Sequence, residues 1–232
     1  MWRSADSPAL RDGMTPTTPE GLLLGKIYET LYEYFGDLHW WPGDSPFEII
    51  VGAILTQNTA WKNVETAIGR LKEGGLLHPE KLRLLEDRQL AELIRPAGYY
   101  RIKTKRLKAF LGFLHQHYQD DLNALFAEEP WALRQKLLGV HGIGNETADS
   151  ILLYAGGKPV FVVDAYTRRI MERHRVIGAD ASYADVQNLF MAGLPSSIPL
   201  YNQYHALLVN AGKQFCKKQR PGCDRCPLQP FL

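Results

Sequence analysis

Apolar residues three or four positions apart recur in segment after segment of this 232-residue chain, the spacing that lines one face of a helix. The pattern predicts helices over Leu22–Phe35, Phe47–Gln57, Lys62–Leu71, Leu90–Arg95, Lys103–Tyr118, Trp131–Leu138, Glu146–Ala155, Ala165–Arg173, Tyr183–Gly193 and Tyr201–Phe215. Strand-type alternation is nearly absent; Val160-Phe161-Val162-Val163 is the one β-branched run, and it is very short. Pro42, Pro46, Pro79, Pro96, Pro130, Pro159, Pro195 and Pro199 fall between these segments or at their ends, where a residue without an amide proton belongs. The expected fold class is all-α. Residues Met1 to Pro19, rich in Ser, Thr, Pro and Asp, read as a disordered tail.

One junction between helices is unusual. In Leu137-Leu138-Gly139-Val140-His141-Gly142-Ile143-Gly144-Asn145-Glu146-Thr147-Ala148 a helix ends, a Gly-Ile-Gly hairpin turns, and a second helix starts at once. Glycines at 142 and 144 accept positive φ and let an oxygen approach the main chain, so the amides of the turn and the helix start suit one phosphate. Asn145 and Thr147 are expected to help cap that second helix, with Ala148, Ile151, Leu152 and Ala155 as its apolar face. Past Gly156-Gly157-Lys158-Pro159 and the apolar run stands Asp164. Taken alone, that acid is a helix cap ahead of Ala165. Behind a phosphate anchor it is a candidate for chemistry on a nucleic acid.

Leu138 to Asp164 resembles the helix-hairpin-helix plus Gly/Pro-Asp signature of the endonuclease III superfamily of base-excision DNA glycosylases. The resemblance runs from about Leu22 to the C-terminus. It implies two helical domains flanking a cleft, a barrel-like one over residues 39–158 and a second made of residues 20–38 plus 159–232. It makes Asp164 the catalytic carboxylate, stabilising oxocarbenium-like charge on the sugar. Bifunctional members of the family carry a lysine nucleophile just before the Thr-Ala of the hairpin, and this chain has Glu146 there. A carboxylate cannot form the Schiff base that an amine forms with the sugar aldehyde, so a monofunctional glycosylase is expected. Glu146 remains open between a surface residue suited to a helix start and a pocket residue that orients water or contacts the base.

Trp40 and Trp41, in His39-Trp40-Trp41-Pro42, suit either domain packing or a platform for a flipped base. Phe47 is a further candidate for the pocket wall. The Trp-Trp-Pro run, Leu55-Thr56-Gln57-Asn58-Thr59 and Arg95-Pro96-Ala97-Gly98-Tyr99-Tyr100 resemble the 3-methyladenine DNA glycosylase branch. Gln57 lies where the superfamily places a side chain that enters the gap left by the flipped nucleotide, and Tyr99 near its companion wedge. Arg101, Lys103, Lys105, Arg106 and Lys108 read as a solvated helix face that can also touch phosphates. The substrate expected is double-stranded DNA with an alkylated purine. Alternatives are an endonuclease III-like glycosylase/AP lyase for oxidised pyrimidines, using some other amine, and a non-catalytic DNA-binding protein.

The net charge of +2 permits DNA binding without arguing for it. No apolar run approaches the roughly 18 residues of a membrane span and no leader is evident, so a cytoplasmic, nucleoid-associated monomer is expected. Cys216, Cys223 and Cys226 exclude a disulfide framework and read as a thiolate loop for a soft metal. The spacing resembles the iron–sulfur loop of endonuclease III, implying a [4Fe–4S] cluster. The family's fourth cysteine position is Leu232 here. Around the loop, Lys217, Lys218, Arg220 and Arg225 form a basic cluster, and Lys213 is either a cleft or a surface lysine.

Overall fold

The computed structural model describes residues 18–40 and 43–232. Residues 1–17, most of the expected tail, and the pocket candidate Trp41 with Pro42 lie outside the described residues. In chain order the α-helices are α1 (Pro19–Phe35), α2 (Pro46–Leu55), α3 (Trp61–Glu73), α4 (Pro79–Leu84), α5 (Asp87–Leu93), α6 (Tyr100–Tyr118), α7 (Leu122–Phe126), α8 (Pro130–Leu138), α9 (Asn145–Ser150), α10 (Ala165–Arg173), α11 (Tyr183–Gly193) and α12 (Ile198–Gln214). α9 runs on without a break as a π-helical turn, Ile151–Ala155. No strand occurs among the described residues, so the fold is all-α.

The chain divides into two compact units, Trp41–Lys158 and a second that combines Met1–Trp40 with Pro159–Leu232. In the first, α2 is apolar almost all round and buries Phe47, Ile49, Ile50, Val51, Ile54 and Leu55. A helix with that pattern is a core helix, and α3, α6 and α9 pack around it. Ser45 Oγ accepts from Glu48 N at 3.2 Å and Pro46 occupies the first helical position, so the start of α2 is fixed by its own sequence. In the second unit α12 packs against α1 and α10. Phe161 stacks on Phe190 at 4.0 Å, and Tyr201 and Tyr204 meet Phe161 edge-on.

The run Val160–Val163 is buried, at most 1 % exposed, yet joins no sheet. Side chains of α11 supply what a neighbouring strand would: Gln187 Nε2 donates to Phe161 O at 2.7 Å, and Tyr183 Oη accepts from Val163 N at 3.2 Å. α1 starts at Pro19, before the Leu22 where its apolar period begins, because Thr18 Oγ1 accepts from Gly21 N at 3.0 Å. α4 and α7, of one to two turns, are too short to show a period and are absent from the sequence expectation.

Candidate active site

In the unit Trp41–Lys158 the hairpin Gly139–Gly144 joins α8 to α9. Gly142 sits at φ +85°, and a β-carbon there would come within 2.2 Å of the Arg106 side chain. Only glycine meets both conditions. The cap of α9 is Gly144, which offers no side chain to the first-turn amides. The expected caps Asn145 and Thr147 are engaged elsewhere, a correction with a clear cause. Asn145 Oδ1 accepts from Arg134 Nη2 at 3.1 Å, and Thr147 Oγ1 accepts from Gln57 Nε2 at 2.9 Å. Both side chains therefore brace the hairpin instead of closing the helix end. Glu146 stands exposed in the first turn of α9.

Two interactions that periodicity does not reveal hold this motif. Arg134 of α8 grips Asp149 of α9 through Nε to Oδ1 at 2.6 Å and Nη2 to Oδ2 at 3.0 Å, and Asp149 is fully buried. The second is Gln57, just past α2: its Nε2 also donates to Gly142 O at 2.9 Å, and Arg106 donates to its Oε1. The residue expected to fill the gap of a flipped nucleotide is thus tied to the hairpin, and its neighbour Asn58 is exposed with φ +55°.

Lys103 departs from the solvated face expected of it. It is 1 % exposed, and its Nζ donates to Leu55 O at 2.8 Å and Ala97 O at 2.7 Å. Burial, with Arg106 adding to it, pushes this ammonium down to about 8. It closes the end of α2 and the turn Arg95–Ala97, the two segments that lead into Gln57 and Tyr99. Lys108 is likewise half-buried on the carbonyls of Arg83 and Leu85, whereas Arg101 and Lys105 are exposed. Tyr99 is 69 % exposed in a left-handed conformation, φ +44°, strained for an aromatic residue. Phe47 is buried in the first turn of α2.

In the other unit Asp164 caps α10. Its Oδ1 accepts from Thr167 N at 2.7 Å, and the residue is 9 % exposed. Its Oδ2 lies 3.8 Å from His205 Nε2 of α12. His205 was not singled out in the sequence, although a histidine inside the apolar stretch Tyr204–Val209 is the signal that could have found it. Gly212 lets the helices come this close, since a β-carbon there would fall 2.3 Å from the Tyr166 ring of α10. Lys213 is exposed, with its Nζ 6.0 Å from the centre of the half-buried Trp40 ring. Trp40 Nε1 is buried with no hydrogen-bond acceptor.

Cys216, Cys223, Cys226 and Leu232 line one small hollow beside α10. Burial pushes the Cys226 thiol up, and Cys216 and Cys223 push it further. Arg173 donates to Cys216 Sγ at 3.1 Å and to Lys217 O at 2.7 Å, while Arg169 Nε donates to Cys216 O at 2.7 Å. Among the described residues no three His, Cys, Asp or Glu side chains converge as a bound metal ion requires. Thiolate is the donor type that suits a soft metal or an iron–sulfur cluster; Leu232 brings no thiolate to the family's fourth position.

An all-helical chain with a braced hairpin and a capped, buried aspartate is the frame of a base-excision repair protein, and comparison with known proteins bears this out. The sequence profile described as "HhH-GPD superfamily base excision DNA repair protein" matches residues 51–196. A provisionally named DNA repair glycosylase of Methanocaldococcus jannaschii is 45 % identical over 210 residues, 90 % of this chain and 95 % of that one. The Helicobacter pylori 3-methyladenine DNA glycosylase MagIII, solved with 1,N6-ethenoadenine bound, superposes with a TM-score of 0.72 at 30 % identity, covering 84 % of this chain and 97 % of that one. An endonuclease III–DNA complex shares the fold, with a TM-score of 0.78 at 23 % identity over 91 % of this chain and 94 % of that one. The chain belongs to the HhH-GPD superfamily of base excision DNA repair proteins, as a DNA repair glycosylase with endonuclease III-like relatives.

Proposed function

We propose that this protein is a monofunctional DNA glycosylase that hydrolyses the bond between deoxyribose and a flipped, alkylated purine such as 3-methyladenine. The observation that carries the reading is Asp164, a carboxylate fixed by Thr167 N and shielded from solvent. As the glycosidic bond breaks, the sugar takes on positive charge, which a fixed, poorly solvated carboxylate stabilises better than water does. The C–N electron pair goes to the cationic base, which leaves neutral; water adds at the anomeric carbon and gives up one proton to solvent.

The hairpin glycines and the uncapped start of α9 take a DNA phosphate, and exposed Lys105 adds a phosphate contact. Asn58 on one loop, and Tyr99 on the other, enter the stack where the base has left, while Gln57 holds the hairpin. Trp40, in the same unit as Asp164, is the aromatic candidate to stack on the base. With glutamate at position 146 the hairpin has no amine to open the sugar, so the product is an intact strand with an abasic site. MagIII, a 3-methyladenine glycosylase by name, supports the substrate class. Cys216, Cys223 and Cys226 are the residues that would hold a [4Fe–4S] cluster, as three thiolates. When bound, it adds a covalent tie to a loop that Arg169 and Arg173 already anchor.

The test is a panel of duplexes, each with one lesion, scored separately for free base and for strand cleavage. Release of 3-methyladenine without cleavage is the expected result; cleavage at thymine glycol overturns it. A second reading, a glycosylase/lyase, has one observation behind it: Lys213 is an exposed amine whose charge is felt at His205, beside Asp164. Borohydride trapping separates the two, since only a lyase leaves protein covalently attached to DNA.

A further inference from the structure

We propose that His205 is a positioning residue that sets the charge of the catalytic centre: neutral, it leaves the negative charge of the Asp164 carboxylate uncompensated; protonated, it cancels that charge and stops base release. The inference rests on the glycosylase reading above and concerns the same site.

The geometry is specific. The two oxygens of Asp164 have different neighbours: Oδ1 is bound to the backbone amide of Thr167, and Oδ2 turns toward His205 Nε2 at 3.8 Å. Both side chains are nearly closed to solvent, 9 % and 7 % exposed, so their interaction is weakly screened. An imidazolium at this distance would form an ion pair with the carboxylate. An ion pair has little net field for a developing sugar cation, whereas a carboxylate beside a neutral imidazole keeps its full charge.

The surroundings favour the neutral form of His205. Burial depresses its proton affinity, the negative Asp164 opposes this, and Lys213, two turns further along α12, adds to the depression. From α10, besides Asp164, come Arg169 and Arg173, whose guanidinium groups are committed to the carbonyls of Cys216, Lys217 and Lys218. From α1 comes Tyr28, uncharged and packed on Tyr204. In the segment after α1, Asp37 and His39 lie 3.6 Å apart. Histidine alone among side chains changes charge in this range at ordinary affinity, so the charge of the centre becomes pH-dependent through a residue that need not touch the substrate.

The experiment has two arms. In the first, release of 3-methyladenine from methylated duplex DNA is followed under single-turnover conditions from pH 5 to 8. The wild-type rate is expected to fall on the acid side. In His205→Gln, which cannot become a cation, the midpoint of that fall should move down by about one pH unit, with DNA affinity unchanged at pH 7.5. Coincident acid limbs overturn the inference. The second arm needs neither activity nor that variant's folding. The His205 imidazole is titrated by NMR in the wild type and in Asp164→Asn. Its midpoint should drop when the carboxylate is removed; an unmoved midpoint in a protein that releases base sinks this inference alone. A wild type that releases no base at any pH overturns the glycosylase reading and this inference with it.

Discussion

At the scale of single residues, the proposed chemistry turns on two carboxylates with opposite surroundings. Asp164 is buried and tied to an amide, whereas Glu146 is exposed at the start of α9. Asp164→Asn keeps the shape and the cap geometry while removing the charge. Base release measured under single turnover should fall by at least about a hundredfold, with DNA binding by gel shift changed little. Glu146→Lys restores an amine at the hairpin, and borohydride should then trap protein on DNA where the wild type gives none. Both positions stand out in the chain because the spacing of the hairpin and the Gly/Pro-Asp segment marks them. His205 was less legible. Its burial and its neighbour, 41 positions away along the chain, are products of helix packing that no local pattern encodes.

At the scale of elements, the hairpin is held from both sides. Arg134–Asp149 bridges α8 and α9, and Asp149→Ala strands a buried guanidinium. Denaturant unfolding should show a loss of about 3–5 kcal/mol. Gly142→Ala faces both the left-handed backbone and the Arg106 stem; the strain is about 1–3 kcal/mol, and lesion binding should weaken more than stability does. Lys103 joins α2 to the turn before Tyr99. Its folded-state affinity lies near 8, below the ordinary 10.5, so between these values the unfolded chain holds the proton more firmly than the native one. Stability attributable to Lys103 therefore rises with pH across that window. In Lys103→Met, the pH dependence of stability between pH 8 and 9.5 should be flatter than in the wild type. The expectation that Lys103 is solvated followed from charge alone. A lysine that caps two segment ends looks identical in sequence to one on a wet helix face, since the carbonyls it satisfies are backbone.

At the scale of the whole molecule, helical periodicity gave the fold class and most helix positions because amphipathic faces are local. It failed for α4 and α7, which rest on their neighbours, and it left open how Val160–Val163 would be paired, since Gln187 and Tyr183 lie a full helix away. Charge behaves similarly. A net charge of +2 spread over 232 residues supplies little general attraction to DNA, so binding must come from a few placed cations. Of the basic residues on α6, Lys103, Arg106 and Lys108 are committed to protein acceptors, leaving Arg101 and Lys105 exposed. In the C-terminal loop Lys217, Lys218 and Arg220 are exposed as well. The affinity for undamaged duplex should therefore fall only gently with salt, with a log–log slope of about −3 to −5 for that many phosphate contacts. Lys105→Ala should make the slope shallower by about 1, equally for damaged and undamaged duplex, because a phosphate contact carries no base information. Lys103→Met should leave the slope unchanged, since its ammonium faces carbonyls and not phosphate. A slope altered by Lys103→Met and not by Lys105→Ala would reverse the assignment of which lysines meet the DNA.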